Sequence, residues 1–188
     1  AFSSRLPWRH LFLLGGVGIG TFALLLSLGI QYSGAISSAL VFTSSPIVAA
    51  FLARILIGHR LRWFVIAGAA LAVAGGAIVS LRDGQIELKG GEVLLLVAIF
   101  LFNWYSLKIP DWLRGFSKLS MTTLTIVTGA IVATVIYGIG VAFGLIEPRA
   151  SFTPRSIALV LYMAVTSLCL AILFWNYGVA RLGVPVAA

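Results

Sequence analysis

The chain has 188 residues, of which 61% are hydrophobic and only 10% are charged, whereas soluble domains carry about a quarter charged residues. Five acidic and thirteen basic residues cannot cover the outer shell of a small water-soluble domain. The composition therefore excludes a soluble globule and predicts an all-α, multi-pass transmembrane helix bundle with the lipid bilayer as its surroundings. Two His and one Cys are too few for a zinc, iron–sulfur or bis-histidine haem site, so we expect no metal and no cofactor. The net charge of +8 is not gathered with aromatic residues on one polar face, so we expect no nucleic-acid partner.

Six apolar runs follow one another along the chain, each close to the ~20 residues that a helix needs to cross the hydrocarbon core. The segments between them are short and contain Gly, Pro and charged residues, which is typical of turns. No connection is long enough to fold as a separate domain outside the membrane. The predicted spans are 9–32, 35–57, 61–81, 90–109, 119–144 and 156–182.

The first predicted span contains the glycine-rich stretch 15–20. A phosphate-binding loop needs a preceding strand and a Lys with Ser or Thr, and this stretch has none of them. Gly16 and Gly20 instead form a GxxxG pattern, which lets helix backbones approach closely in a membrane. Gly68 and Gly76 continue the same small-residue pattern on the third predicted span. We therefore predict that these four glycines pack helices together.

The second predicted span carries a cluster of hydroxyl side chains that ends with Ser44 and Ser45, and Pro46 follows directly. A proline inside a helix removes an amide donor and leaves one carbonyl without its helical partner. Two interpretations stay open. The hydroxyls bond to the backbone of their own helix, or the segment forms a kinked hinge that lines a cavity.

The fourth and sixth predicted spans each place an amide beside aromatic side chains, in 103–105 and 175–177. Polar groups inside a membrane must find partners, so these amides are candidates for solute contact or for hydrogen bonds between helices. The tryptophans have the alternative of packing or of anchoring at the interface. No Asp or Glu falls within a predicted span, so no carboxylate proton relay is visible, and no enzyme is expected because catalytic pairs are missing. The candidate substrate path comprises Ser44, Ser45, Pro46, Asn103, Trp104, Tyr105, Trp175 and Asn176.

The basic residues fall unequally on the two sides when successive loops are assigned to alternate faces of the membrane. Nine Lys and Arg residues lie on the side of the chain's start and four on the other side. Because cytoplasmic loops carry an excess of Lys and Arg, the start of this chain is predicted to be cytoplasmic.

The ends of the first and sixth predicted spans share a Gly-apolar-x-x-x-Gly pattern, at Gly29 to Gly34 and at Gly178 to Gly183. The two copies are offset by five spans, and this odd offset makes corresponding helices cross the membrane in opposite directions. The pattern predicts an inverted five-helix repeat with ten spans in the complete protein. Residues 1–89 would be the C-terminal part of the first repeat, with three helices. Residues 90–188 would be the N-terminal part of the second, with three helices and the start of a fourth.

Several short motifs occur in order along the chain. Residues 29–35 are similar to an ALKYTSA turn, residues 46–52 to a P-apolar-aLla helix, residues 57–61 to LGERL, and residues 173–177 to llWnyal. Together they resemble the EamA-type drug/metabolite transporter superfamily. His59 departs from the pattern because it replaces the customary Glu.

The resemblance implies a fragment that covers about spans three to eight of a ten-span transporter in the inner or plasma membrane. Such a protein would export or exchange small organic metabolites or drug-like solutes by alternating access, with a small organic solute as its partner. Two alternatives stay open, a nucleotide-sugar or sugar-phosphate exchanger and a nontransporting membrane scaffold subunit. A homodimer is also left open.

Overall fold

A computed structural model describes residues 7–58, 90–145 and 153–182, with scattered positions between 63 and 78. All regular structure in these ranges is helical, and no strand occurs in them. Five of the helices are long and apolar enough to cross a membrane, and they coincide with the first, second, fourth, fifth and sixth predicted spans. The all-α transmembrane fold class is therefore confirmed. The five are α1 (Trp8–Gly34), α2 (Ile36–Leu56), α3 (Gly91–Trp112), α4 (Lys118–Ala142) and α5 (Pro154–Leu182).

The third predicted span, 61–81, lies outside the described residues apart from scattered positions, all of which are helical. Gly68 is one of these positions, and a Cβ placed on it would meet no atom within 4 Å. Gly76 lies outside the described residues. A packing role for these two glycines therefore stays a prediction.

Helix α1 is irregular and continues almost directly into α2. Its segment Phe12–Thr21 is π-helical, whereas the backbone from Phe22 to Ser33 is regular. The predicted turn at Ser33-Gly34 is a single non-helical residue, Gly34, with φ 81° and ψ 167°. Glycine suits this position because residues with a Cβ rarely adopt such a positive φ.

Helix α2 is interrupted at Thr43 and Ser44, just before its proline. The hydroxyls of these two residues donate to the carbonyls of Leu40 and Val41 at 2.6 Å and 2.7 Å. A new helical segment, Ser45–Ile57, then begins with Pro46 in its first turn, where a missing amide donor breaks no helical bond. The interruption therefore lies in the hydroxyl-bonded turn and not at a proline kink.

Helix α3 extends further than the sequence pattern indicated. We expected the span to end at residue 109 with Pro110 in a loop, but the helix includes Pro110 and ends at Trp112. The prediction was wrong because a proline removes only one helical hydrogen bond, that to the carbonyl four residues earlier. The Leu113 amide still donates to the Ile109 carbonyl at 3.1 Å, so the last turn stays closed.

Helix α3 forms the centre of the described bundle. Helix α1 runs antiparallel to it, since Gly18 faces Tyr105 and Gly29 faces Leu95. The inverted repeat and its boundaries stay a prediction. The largest apolar core lies where α1, α3, α4 and α5 meet, and its buried members are Leu11, Leu14, Ile19, Tyr105, Ile109, Leu113, Met121 and Ile172. A second core between α2, α3 and α5 contains Ala49, Leu52, Ala53, Leu107 and Val179.

The π-helical segment of α1 packs against α4 through glycines, which we call the glycine seam. A Cβ placed on Gly16 would lie 3.0 Å from Val132 Cγ2, and one on Gly20 would lie 2.5 Å from the carbonyl oxygen of Gly129. A Cβ on Gly129 would in turn lie 2.7 Å from the carbonyl oxygen of Gly15. At this crossing the two backbones lie too close for any larger residue.

Candidate functional site

The contact between α2 and α3 contains a fully buried amide. Asn103 is 0% exposed, and its Nδ2 donates to the Ile99 carbonyl at 2.9 Å and to Ser45 Oγ at 3.3 Å. The nitrogen of the Asn103 amide must face the Ile99 carbonyl, because the amide oxygen in that position would place two acceptors against each other. The amide oxygen, Oδ1, is buried and has no hydrogen-bond partner among the described residues.

A buried acceptor without a partner is unfavourable, by about 1–3 kcal/mol in proteins. Most buried polar groups are therefore paired, and an exception in a native structure calls for a specific cause. Asn103 Oδ1 is such an exception, and it lies on a helix that packs against several other described helices. The arrangement provides an acceptor for a hydrogen-bond donor that belongs to none of the described residues.

A second polar group joins α3, α4 and α5, and we call it the Tyr105 network. Asn176 Nδ2 donates to Thr122 Oγ1 at 2.8 Å and to the Tyr105 hydroxyl at 3.2 Å. The Tyr105 hydroxyl lies 3.3 Å from Thr125 Oγ1, and all four side chains are buried. Each member has a partner on another helix. These contacts are the hydrogen bonds between helices that the sequence left open as one interpretation of Asn176.

A third contact brings Trp175 of α5 onto α3. Its indole Nε1 donates to Ser106 Oγ at 2.7 Å, and Ser106 donates in turn to the Phe102 carbonyl at 2.9 Å. The Trp175 ring also lies 5.3 Å from the Phe102 ring, centroid to centroid. Because Ser106 is three residues after Asn103, both polar side chains lie on the same side of α3. Trp175 therefore approaches the face that carries the buried amide.

The predicted path residues separate into three groups in the structure. Asn103 contacts Ser45 directly, and Trp175 reaches the same face of α3, whereas Tyr105 and Asn176 share the separate Tyr105 network. The remaining three make other contacts: Ser44 bonds to its own helix, Pro46 is half-buried in a first turn, and Trp104 meets Trp112 edge-on at 5.6 Å.

Sequence reasoning missed three polar participants, Ser106, Thr122 and Thr125. The one available signal was spacing, because Ser106 follows Asn103 by three residues and Thr125 follows Thr122 by three. Residues three apart share a helix face. Serine and threonine are common in this chain, however, and spacing alone does not say which face meets a neighbour.

The surroundings of Asn103 carry no buried formal charge in the described part of the chain. Every Lys and Arg described there is exposed or half-buried. The two described acidic residues lie at the ends of α3, Glu92 half-buried and Asp111 exposed. Asp111 accepts from Arg114 Nη2 at 2.7 Å on the surface. The described residues also contain no cluster of three His, Cys, Asp or Glu that could hold a metal ion.

The EamA-like transporter family profile matches residues 1–81 of this chain. A probable terminal-alkyne amino-acid exporter of Streptantibioticus cattleyicolor is 23% identical over 172 residues, which cover 92% of this chain and 56% of that protein. The uncharacterized transporter YyaM of Bacillus subtilis is 24% identical over 187 residues, covering 90% of this chain and 56% of YyaM. Residues 1–81 are thus similar to the EamA-like transporter family, and most of the chain is similar to two proteins that are named as an exporter and a transporter.

The resemblance seen in the sequence motifs is thereby confirmed. The chain spans about half the length of the curated relatives that it matches. No solved structure matches it significantly. The similarity to transporters together with the five apolar helices indicates a multi-pass integral membrane protein of a general transporter type.

Proposed function

We propose that this protein exports or exchanges small organic metabolites or drug-like solutes by alternating access, and that the solute passes the contact between Asn103 and Ser45. The observation that carries this proposal is the fully buried Asn103 amide, whose Oδ1 has no partner among the described residues. A polar group at this depth is unfavourable unless it binds something, and solute sites are a common reason for such groups in membranes.

The relatives suggest a first solute to test. One of them is named a probable terminal-alkyne amino-acid exporter, which makes a small amino acid with an apolar side chain a reasonable probe. The site itself lacks a buried cation in the described ranges. Exchangers of sugar phosphates and nucleotide sugars need positive charge for their phosphates, so that alternative has less support. A scaffold subunit without transport activity would give no flux at all.

We also propose that the protein lies in the inner or plasma membrane, with the start of this chain in the cytoplasm. The support for this orientation is the distribution of Lys and Arg, nine on one side and four on the other. In this orientation α3 and α5 end on the cytoplasmic side.

Flux through proteoliposomes tests the proposed function. The probe is L-propargylglycine, a terminal-alkyne amino acid whose appearance in the lumen can be measured by azide coupling. The informative variant is Asn103→Leu, which removes the amide while keeping a similar volume. Gln31→Leu is the matched control, because it removes an amide from an exposed position near the outer end of α1.

We expect saturable uptake by the wild-type protein and by Gln31→Leu, and a severalfold lower apparent affinity in Asn103→Leu. Thermal unfolding in detergent should show little change for Asn103→Leu, because hydrogen bonds between membrane helices contribute only about 0.6 kcal/mol on average. Unchanged flux in Asn103→Leu would place the solute elsewhere. Flux no greater than that of empty liposomes would contradict transport of this class of solute.

A further inference from the structure

We infer that Asn103 determines specificity by accepting a hydrogen bond from an N–H or O–H group of the bound solute. The inference rests on the proposed function and adds a chemical requirement to it. A solute without a donor at this point would leave Asn103 Oδ1 unpaired after binding, whereas a solute with one would pair it.

The geometry of the amide leaves one role for the solute to fill. Both Nδ2 protons face protein acceptors, the Ile99 carbonyl and Ser45 Oγ. The side chain therefore has no donor left for a ligand and offers only its oxygen. Ser45 accepts from Asn103, and a hydroxyl that accepts a bond still has its own proton to donate. The pair thus presents one acceptor and one donor, which suits a solute group that carries both.

The donors that lie nearest along α3 are already in use. The Ser106 hydroxyl donates to the Phe102 carbonyl, and the Trp175 indole donates to Ser106. The amide groups within α3 donate along the helix. Neither the Ser106 hydroxyl nor the Trp175 indole can turn to Asn103 Oδ1 without giving up a bond of its own, so a donor brought by the solute is the least costly partner.

The neighbouring side chains narrow the class of solute further. Phe102 and Trp175 are both half-buried, and their rings lie 5.3 Å apart beside the polar face of α3. No Lys or Arg in the described ranges is buried to balance a net ionic solute, and the two described acidic residues lie at the ends of α3, away from Asn103. The expected solute therefore has no net charge, carries an apolar portion for the aromatic rings, and presents an N–H or O–H donor to Asn103.

Two probes with the same net charge test this requirement. L-propargylglycine carries an ammonium group with three N–H donors, whereas its N,N,N-trimethyl betaine carries the same positive charge without any. Each probe competes for uptake of labelled L-propargylglycine in proteoliposomes. The measured quantity is the inhibition constant of the betaine divided by that of L-propargylglycine. It is determined for the wild type, for Asn103→Leu and for Ser45→Ala, which keeps the amide oxygen.

The larger trimethyl group disfavours the betaine in every variant, so only the change in this ratio between variants reports the hydrogen bond. We expect the ratio to be at least about fivefold greater in the wild type than in Asn103→Leu, corresponding to the lower limit for one unpaired group. Ser45→Ala should keep most of the discrimination. Equal ratios in the wild type and in Asn103→Leu, with normal uptake in both, would overturn the inference while leaving the proposed function intact. Loss of discrimination in Ser45→Ala alone would assign selection to the serine and overturn it too. Uptake no greater than that of empty liposomes would overturn both proposals.

Discussion

Adding one methyl group to the glycine seam should separate α1 from α4. In Gly20→Ala the new Cβ would lie 2.5 Å from the carbonyl oxygen of Gly129, whereas ordinary contacts begin near 3.4 Å. The three nearest atoms all belong to the Gly129 backbone, so no side chain can rotate away. The helices must instead move apart by roughly 1 Å, and overpacking of this kind costs about 1–3 kcal/mol.

The same separation weakens a hydrogen bond at this crossing. Thr128 Oγ1 on α4 lies 3.1 Å from the Leu11 carbonyl on α1, and such bonds contribute about 0.6 kcal/mol on average in membranes. The matched control is Gly138→Ala on α4. Gly138 is likewise a glycine within a helix, but a Cβ placed on it has no atom within 4 Å. Both variants gain the same helix propensity, about 1 kcal/mol, so this contribution cancels between them.

Reversible unfolding in mixed detergent micelles measures the difference. We expect Gly20→Ala to be less stable than Gly138→Ala by about 1–3 kcal/mol. Equal stability of the two variants would show that the backbones of α1 and α4 do not meet at Gly20. Greater stability of Gly20→Ala would refute the packing argument altogether.

Two further predictions concern a single hydrogen bond and the membrane topology. Ser106→Ala should destabilise the protein by about 0.6–1.7 kcal/mol in detergent unfolding, since it removes the partner of the Trp175 indole. In a Trp175→Phe background, which lacks this hydrogen bond, the same change should be nearly neutral. Equal effects of Ser106→Ala in both backgrounds would argue against the bond. For topology, Ser117→Cys and Leu145→Cys place thiols at opposite exposed ends of α4 in a Cys169→Ser background. An impermeant maleimide added outside intact cells should label position 145 and not position 117, and the reverse result would invert the orientation.

Hydropathy and length were sufficient to predict the membrane-spanning helices, because a helix in lipid must satisfy its own backbone and must be long enough to cross. The end of α3 was predicted less well. Pro110 suggested a boundary, yet the helix continues to Trp112 because the neighbouring hydrogen bond from Leu113 to Ile109 compensates for one missing donor. A proline near a helix end therefore leaves a choice that tertiary packing decides.

The candidate site was predicted in part. Asn103 stood out in the sequence because an amide in an apolar run needs a partner, but which partner it finds depends on how α2 meets α3. The same rule selected Asn176, which instead joins a fully paired network with Thr122 and Thr125. Threonine is common in apolar helices because it can bond to the preceding turn. Its spacing therefore did not reveal that this face of α4 meets α5.

Gly34 joins α1 to α2 without a loop. Its φ of 81° is the one non-helical backbone conformation within Phe22–Phe42, and α2 begins only two residues later, at Ile36. So short a junction leaves no slack between the outer ends of the two helices. A tilt of α2 at the outer side must therefore be transmitted to α1, and through the glycine seam to α4. These three helices then move together.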